Sequence, residues 1–238
     1  MMQTSEIERV LVVTAHPDDV DFSSAGTVAN LTDAGVEVVY CLVTDGQAGG
    51  FDHSIPRSEM ASIRRREQTS AAAAVGVTDL RFLGHMDGSV VADLALREDI
   101  SAVIRDVRPQ VVITQNPMRD LGSTYGSHPD HIATGEATFC AVYPDARNPF
   151  AFPGTATAEL EDWKVAEIWI ASATGGDVAV DITDNLDRKI TALMCHESQH
   201  PDPEATLERV GDWWKSIAAD HGLDEGRSAE AFRVIDTR

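Results

Sequence analysis

Two short segments of the chain carry side chains that could bind a metal ion. Residues 15–19 read Ala-His-Pro-Asp-Asp, and residues 128–131 read His-Pro-Asp-His. In the first segment a proline turn lets the imidazole of His16 and the carboxylate of Asp19 converge on one ion. Mixed nitrogen and oxygen ligands suit zinc, and a catalytic zinc site usually keeps one position for water beside three protein ligands. We therefore predict that His16, Asp19 and His131 bind Zn²⁺, and another divalent metal such as Fe²⁺ is compatible with the same ligands.

The remaining polar residues of the two segments could supply the proton transfers of a metal-assisted hydrolysis. Asp18 should point away from the two neighbouring ligands, where its carboxylate could accept a proton from a metal-bound water, so Asp18 is the candidate general base. His128 could stabilise a developing oxyanion or protonate a leaving group, with Asp130 orienting its ring. The alternative interpretation is structural: Asp18 or Asp19 would cap a helix, and His16 would be a hydrogen-bonded core histidine.

Apolar runs and helical spacing predict the elements that position these segments. They indicate buried strands at 9–14, 36–44, 80–83 and 110–115, and helices at 23–34, 58–75 and 94–108. A strand, a helix and a strand within about one crossover length form a βαβ unit with parallel strands. After a helix at 131–142, the C-terminal third is predicted to add edge strands at 165–170 and 177–182 and helices at 185–197 and 205–220. This alternation predicts an α/β fold with a mostly parallel sheet sandwiched by helices.

Polar residues that follow the predicted strands should share one edge of the sheet, because the ligand crevice of an open parallel sheet lies beyond the carboxyl ends of its strands. The first strand leads to the 15–19 segment, the second to Asp45, the third to Asp87 and the fourth to Asn116. Asp45, Asp87 and Asn116 could therefore hold a hydroxyl-rich substrate by hydrogen bonds. The same residue types also stabilise turns, so both interpretations stay open.

Composition excludes several classes of partner. The chain has 238 residues, with 39 acidic and 19 basic side chains and a net charge of −20, which would repel phosphate backbones and anionic membrane surfaces. We find no signal peptide and no stretch long enough to span a bilayer. Cys41, Cys140 and Cys195 lack the spacing of a disulfide framework or a thiolate zinc site, which favours a reducing compartment. We expect a single cytoplasmic domain over residues 1–238 that binds a small molecule but neither nucleic acid nor membrane, and a homo-oligomer stays open.

The motifs resemble those of the LmbE-like, or N-acetylglucosaminyl-phosphatidylinositol de-N-acetylase, family. Its marks are the Ala-His-Pro-Asp-Asp turn and the downstream His-Pro-Asp-His segment. The likeness continues in the expected order through residues 44–46, 63–67, 82–88 and 196–199. The resemblance implies a Rossmann-like fold, a divalent metal usually given as zinc, and hydrolysis of N-acetyl or other amide groups. It implies metal binding by His16, Asp19 and His131, a general base at Asp18 and an oxyanion partner at His128.

The resemblance also bears on residues outside the two segments. A family arginine that reaches into the substrate pocket matches Arg64, whereas the alternative is an exposed helix face pairing with Glu59 or Glu67. The family turn commonly continues with an acid where this chain has Val20, and Asp21 follows directly. The sequence does not decide whether Asp21 replaces that acid, and it assigns no role to His85 or His196.

Three hypotheses about function follow. The leading one is zinc-dependent N-deacetylation of a small molecule that resembles an N-acetylated amino sugar. A mycothiol-type thiol-conjugate amidase, or another hydrolase of amide C–N bonds, could use the same site because loops set specificity. A nucleotide-binding Rossmann-like module without catalysis is the alternative of another class. It is disfavoured because no Gly-x-Gly-x-x-Gly follows the first strand.

Overall fold

A computed structural model describes residues 1–121, 124, 127–172 and 176–238. Within these ranges the chain forms one seven-stranded sheet. The strands are β1 (Arg9–Thr14), β2 (Glu37–Thr44), β3 (Asp79–His85), β4 (Val111–Thr114), β5 (Glu167–Ser172), β6 (Val178–Asp181) and β7 (Ala229–Asp236). Their spatial order is β3-β2-β1-β4-β5-β7-β6.

The first five strands of this order run parallel to one another. β7 lies between β5 and β6 and is antiparallel to both. The prediction of a Rossmann-like, mostly parallel sheet with added C-terminal strands is therefore confirmed. The pattern predicted six of the strands but missed β7, in which Glu230 and Arg233 interrupt the apolar run.

Seven α-helices cover the sheet in the described ranges. They are α1 (Asp19–Ser23), α2 (Ala25–Asp33), α3 (Arg57–Ala74), α4 (Leu94–Val107), α5 (Pro129–Cys140), α6 (Leu186–Met194) and α7 (Pro203–Asp220). The helix predicted at 23–34 is in fact two helices that meet at Ser24, whose φ of −146° and ψ of 4° are not helical. No helix within the described ranges is both long and apolar enough to cross a membrane.

The alternating side chains of β1 build two core layers. Val10 and Val12 pack in a cluster with residues of α2, α3 and α6. Leu11 and Val13 point to the other face and pack with residues of α4 and α5. All four valine and leucine side chains are at most 1% exposed. Because β1 is buried on both faces, its C-terminal end and the turn that follows have a fixed position in the fold.

Candidate metal centre and active site

The turn that follows β1 is fixed by the neighbouring strands. The backbone N–H of Ala15 donates to Oε1 of Gln115 at 2.9 Å, just beyond β4. The Ala15 carbonyl accepts from the Thr44 hydroxyl at 2.9 Å, at the end of β2. The next residues therefore leave the sheet at its carboxyl edge, and Asp19 begins α1. This observation agrees with the predicted location of the site.

The side chains of His16, Asp19 and His131 come together, with both carboxylate oxygens of Asp19 facing the two imidazoles. His16 Nδ1 lies 3.2 Å from His131 Nε2 and 3.4 Å from Asp19 Oδ2. His131 Nε2 lies 3.0 Å from Asp19 Oδ1. Ligands about 2.0–2.1 Å from a tetrahedral zinc ion are roughly 3.3 Å apart, so these separations fit one ion. The imidazole of His128 also belongs to the cluster, with a nitrogen within 4.8 Å of nitrogens of His16 and His131.

The other nitrogen of His16 faces two carboxylates. Nε2 lies 3.2 Å from Asp130 Oδ2 and 3.2 Å from Asp87 Oδ1. Asp130 is fully buried and accepts the backbone N–H groups of Gly88 at 2.7 Å and Val90 at 3.2 Å. Carboxylates held in this way fix the orientation of the ring, so that Nδ1 faces Asp19 and His131, where a metal ion would bind.

This geometry corrects the predicted partner of Asp130. The carboxylate of Asp130 contacts His16, not His128. His128 caps the N-terminus of α5, where its Nδ1 accepts the Asp130 backbone N–H at 3.2 Å. The side chain of Asp130 points back towards β3 because the N–H groups of the loop after that strand are its donors.

The electrostatics of the cluster favour a cation. Burial lowers the pKa of His16, but the carboxylates of Asp19, Asp130 and Asp87 outweigh burial and raise that pKa to about 12. Burial raises the pKa of Asp19, yet His131 and His16 hold it well below its usual range. A site that stabilises positive charge so strongly suits a divalent metal ion.

Asp18 lies beside the donor cluster in a strained conformation. Its φ of 86° places it in the left-handed region, which residues with a Cβ rarely adopt. Asp18 Oδ2 lies 3.1 Å from Arg64 Nη2. Burial raises the pKa of this carboxyl, Arg64 lowers it, and Asp19 raises it again, so that the net shift is upward. A carboxylate with a raised pKa next to a metal site has the properties of a general base.

Arg64 is buried beneath the turn, at 4% exposure. It donates to the carbonyls of Pro17 and Gly46 as well as pairing with Asp18. The alternative of an exposed helix face is therefore wrong. Gly46 is close enough that an added Cβ would lie 2.3 Å from Arg64 Nη1, and its φ is 65°. Glycine is thus required at this position both by the close approach and by the backbone.

Comparison with known proteins shows which family the chain belongs to. Residues 11–142 match the PIG-L family model, described as GlcNAc-PI de-N-acetylase. The chain belongs to this deacetylase family. The predicted family membership and the prediction of an amide-hydrolysing enzyme are confirmed, in preference to a nucleotide-binding module without catalysis.

Individual relatives agree over most of the chain. The diacetylchitobiose deacetylase of Thermococcus kodakarensis is 30% identical over 97% of this chain and 84% of the relative. A probable N-acetyl-alpha-D-glucosaminyl L-malate deacetylase 2 of Bacillus cereus is 35% identical over 84% of this chain and 86% of the relative. The solved structure of N,N'-diacetylchitobiose deacetylase from Pyrococcus horikoshii, in complex with its inhibitor MPG, has a TM-score of 0.86 at 29% identity and covers 98% of this chain and 85% of its own.

The remaining predicted residues of this deacetylase have other partners. Both carboxylate oxygens of Asp45 accept from Arg65, at 2.8 and 2.9 Å. Asn116 Oδ1 accepts the Met118 N–H at 2.9 Å within its own turn. Asp87 contacts His16, and its Oδ2 accepts the Ala48 N–H at 2.9 Å. Substrate binding by these three residues stays a prediction, although their observed partners give each of them a structural task.

The sequence did not predict the buried, hydrogen-bonded side chains that lie behind the turn after β1. Gln68 Oε1 accepts the Asp18 N–H at 2.8 Å. Gln68 Nε2 donates to Asp21 Oδ2 at 2.9 Å, and His196 Nε2 contacts the same oxygen at 2.8 Å. The available signal was the spacing of Arg64 and Gln68, which are four residues apart and therefore share a face of α3. His85 instead pairs with Asp99 at 2.9 Å, at the surface.

Proposed function

We propose that the chain is a zinc-dependent N-deacetylase that hydrolyses the acetamide of a small N-acetylated amino-sugar derivative. The observation that carries the proposal is the convergence of His16 Nδ1, His131 Nε2 and the Asp19 carboxylate within 3.0–3.4 Å of one another. The raised pKa of Asp18 beside them supports the proposal.

The proposed chemistry uses the residues of the cluster in separate roles. A metal held by His16, Asp19 and His131 would polarise the amide carbonyl and make a water molecule more acidic. Asp18 accepts the proton of the attacking water as the oxygen bonds to the carbonyl carbon. His128, which is exposed at the N-terminus of α5, stabilises the resulting oxyanion. The C–N bond then breaks, the amine takes the proton that Asp18 accepted from the water, and the free amino sugar and acetate leave.

The identity of the metal is part of the proposal. Two imidazole nitrogens and one carboxylate form a ligand set that suits zinc and also Fe²⁺. Metal analysis of protein purified without added metal, followed by chelation and reconstitution with each ion separately, tests this point. We expect one equivalent of zinc and full activity after reconstitution with zinc.

The substrate class follows from the family and the relatives. Their names specify diacetylchitobiose, N-acetylglucosaminyl malate and an inositol glycoside of acetamido-deoxyglucose. We infer that the substrate contains N-acetylglucosamine. The thiol-conjugate amidase stays the rival, because the same cluster would serve it unchanged. A cytoplasmic location, a single domain and a possible homo-oligomer likewise stay predictions.

A substrate screen tests the proposal. The protein is incubated with N-acetylglucosamine, N,N'-diacetylchitobiose, N-acetylglucosaminyl malate, the inositol glycoside and a thiol conjugate, and released amine and acetate are quantified. Metal-stripped protein and the Asp18→Asn variant are the controls. Equal amounts of amine and acetate from an amino sugar are expected. Amine release from the thiol conjugate alone would favour the amidase, and no release from any amide would contradict the proposal.

A further inference from the structure

Three side chains behind the metal turn form a buried hydrogen-bonded chain. Gln68 of α3, Asp21 of α1 and His196, which follows α6, are each 0% exposed. None of them can touch a substrate in this conformation. The sequence left the role of Asp21 undecided and assigned no role to His196, so their burial and mutual contact need an explanation.

The chain ends on the backbone of Asp18. Gln68 Oε1 accepts the Asp18 N–H at 2.8 Å, and Asp18 is the left-handed residue of the turn, with a φ of 86°. For a residue with a Cβ this conformation persists only when its surroundings over-determine it. The hydrogen bond to Gln68 is one contact that selects the left-handed orientation of this peptide group.

Asp21 determines which way the Gln68 amide points. The NH₂ of the Gln68 amide faces the Asp21 carboxylate, which accepts from it, and the amide oxygen is thereby turned towards the Asp18 N–H. Asp21 Oδ2 accepts from Gln68 Nε2 at 2.9 Å, and His196 Nε2 lies 2.8 Å from the same oxygen. His196 therefore holds Asp21, Asp21 orients Gln68, and Gln68 holds the Asp18 backbone.

The metal ligands are held by different contacts. The backbone N–H of His16 donates to Asp19 Oδ2 at 2.7 Å, and the carboxylates of Asp130 and Asp87 face the ring nitrogen Nε2 of His16. Loss of the Gln68 contact should therefore change the placement of the Asp18 carboxylate more than it changes the affinity for metal.

We propose that Gln68 is a positioning residue for the general base Asp18, and that the Asp21–His196 pair orients its amide. The proposal rests on the proposed function, in which Asp18 accepts the proton of water. When Gln68 is lost, the turn can relax out of the left-handed region and carry the carboxylate away from the attacking water. Small displacements of this kind lower the rate of the chemical step and have little influence on substrate binding.

The test compares kcat, KM and bound zinc in the zinc-loaded enzyme. Gln68→Met keeps the length of the side chain and removes both hydrogen bonds. We expect kcat to fall by about tenfold to a hundredfold, KM to change by less than about twofold, and one equivalent of zinc to remain. Ser101→Ala, which alters another fully buried polar side chain on the opposite face of the sheet, is the control and should leave kcat unchanged.

A pair of variants at His196 separates positioning from general packing. His196→Ala removes the donor to Asp21 and should lower kcat, while His196→Gln supplies an amide donor and should recover most of the loss. A crystal structure of Gln68→Met should show Asp18 outside the left-handed region. The proposal is overturned if Gln68→Met retains wild-type kcat, if the structure keeps φ near 86°, or if His196→Gln is no better than His196→Ala.

Failure of the positioning role is distinguishable from failure of the proposed function. If the wild-type protein is an active deacetylase and Asp18→Asn is inactive, wild-type kcat in Gln68→Met removes only the positioning role. If Asp18→Asn is as active as the wild type, Asp18 is not the base and the premise of the positioning role is lost with it.

Discussion

His16 Nε2 lies 3.2 Å from Asp130 Oδ2, although the two residues belong to different sequence motifs. The contact joins the turn after β1 to the start of α5, and the backbone of the loop after β3 completes it, because Gly88 and Val90 donate to the same carboxylate. The turn after β1, the loop after β3 and the start of α5 therefore meet on one buried aspartate. The carboxylate of Asp130 therefore helps to fix the orientation of the His16 imidazole ring.

Asp130→Asn should weaken zinc binding. The amide cannot accept from Gly88, Val90 and His16 together, so the imidazole loses its fixed orientation. Replacing a partner of this kind typically lowers metal affinity by about 10–100-fold, which competition with a chromophoric chelator measures. Asp79→Asn, at a surface pair with Arg81, is the matched control. Unchanged affinity in Asp130→Asn would show that Asp87 alone orients His16.

Asp18→Asn and His131→Ala should have different phenotypes. Asp18 lies beside the donor atoms but contacts Arg64, so its amide variant should retain zinc and lose about 10²–10⁴-fold in kcat. His131 supplies Nε2 to the cluster, so His131→Ala should lose zinc and activity together. Metal content and kcat of both variants check this. Zinc loss in Asp18→Asn would place Asp18 among the ligands.

The sequence predicted that the side chains of His16, Asp19 and His131 converge, but not the contacts that support them. His16, Asp19 and His131 could be predicted because motif spacing and strand ends both point to the same edge of a parallel sheet. The partner of Asp130 could not, because it depends on how closely the loop after β3 approaches α5. Gln68 lies 50 residues from Asp18 along the chain; its spacing from Arg64 places it on the same face of α3 but does not specify the contact with Asp18.

The sequence pattern also failed to predict strand β7, because one of its buried residues is charged. Its Glu230 is 1% exposed, and a buried glutamate is unexpected in an apolar strand pattern. The structure supplies the missing partner, because Lys189 of α6 pairs with Glu230 in the core. Glu230 also accepts the N–H groups of Gly26 at 2.9 Å and Thr27 at 2.7 Å, at the N-terminus of α2.

Lys189→Met should destabilise the fold strongly. The substitution removes the cationic partner of Glu230 in the core, and removes the donor to the carbonyls of Asp21 and Phe22. Breaking a buried pair in this way typically costs about 3–5 kcal/mol of the free energy of unfolding, measured by urea titration. Lys189→Met combined with Glu230→Gln should cost less, because the amide brings no unpaired charge into the core and its oxygen can still accept one of the two N–H groups of α2. Equal losses in the single and the double variant would argue against the charge as the cause.

The charge around the site should also discriminate between candidate substrates. Three arginines near the turn are already engaged: Arg64 with Asp18, Arg65 with Asp45, and Arg57 with backbone carbonyls of its own loop. With a net charge of −20, the protein should repel an anionic substrate, and salt should screen that repulsion. Between about 0.05 M and about 0.5 M salt, kcat/KM for N-acetylglucosaminyl malate should rise by about threefold or more, whereas kcat/KM for neutral diacetylchitobiose should stay nearly constant. Steady-state kinetics on both substrates check the difference. A decrease of kcat/KM for the malate glycoside with added salt would contradict the prediction. It would show that the site attracts the anion through a positively charged group that is not engaged in these contacts.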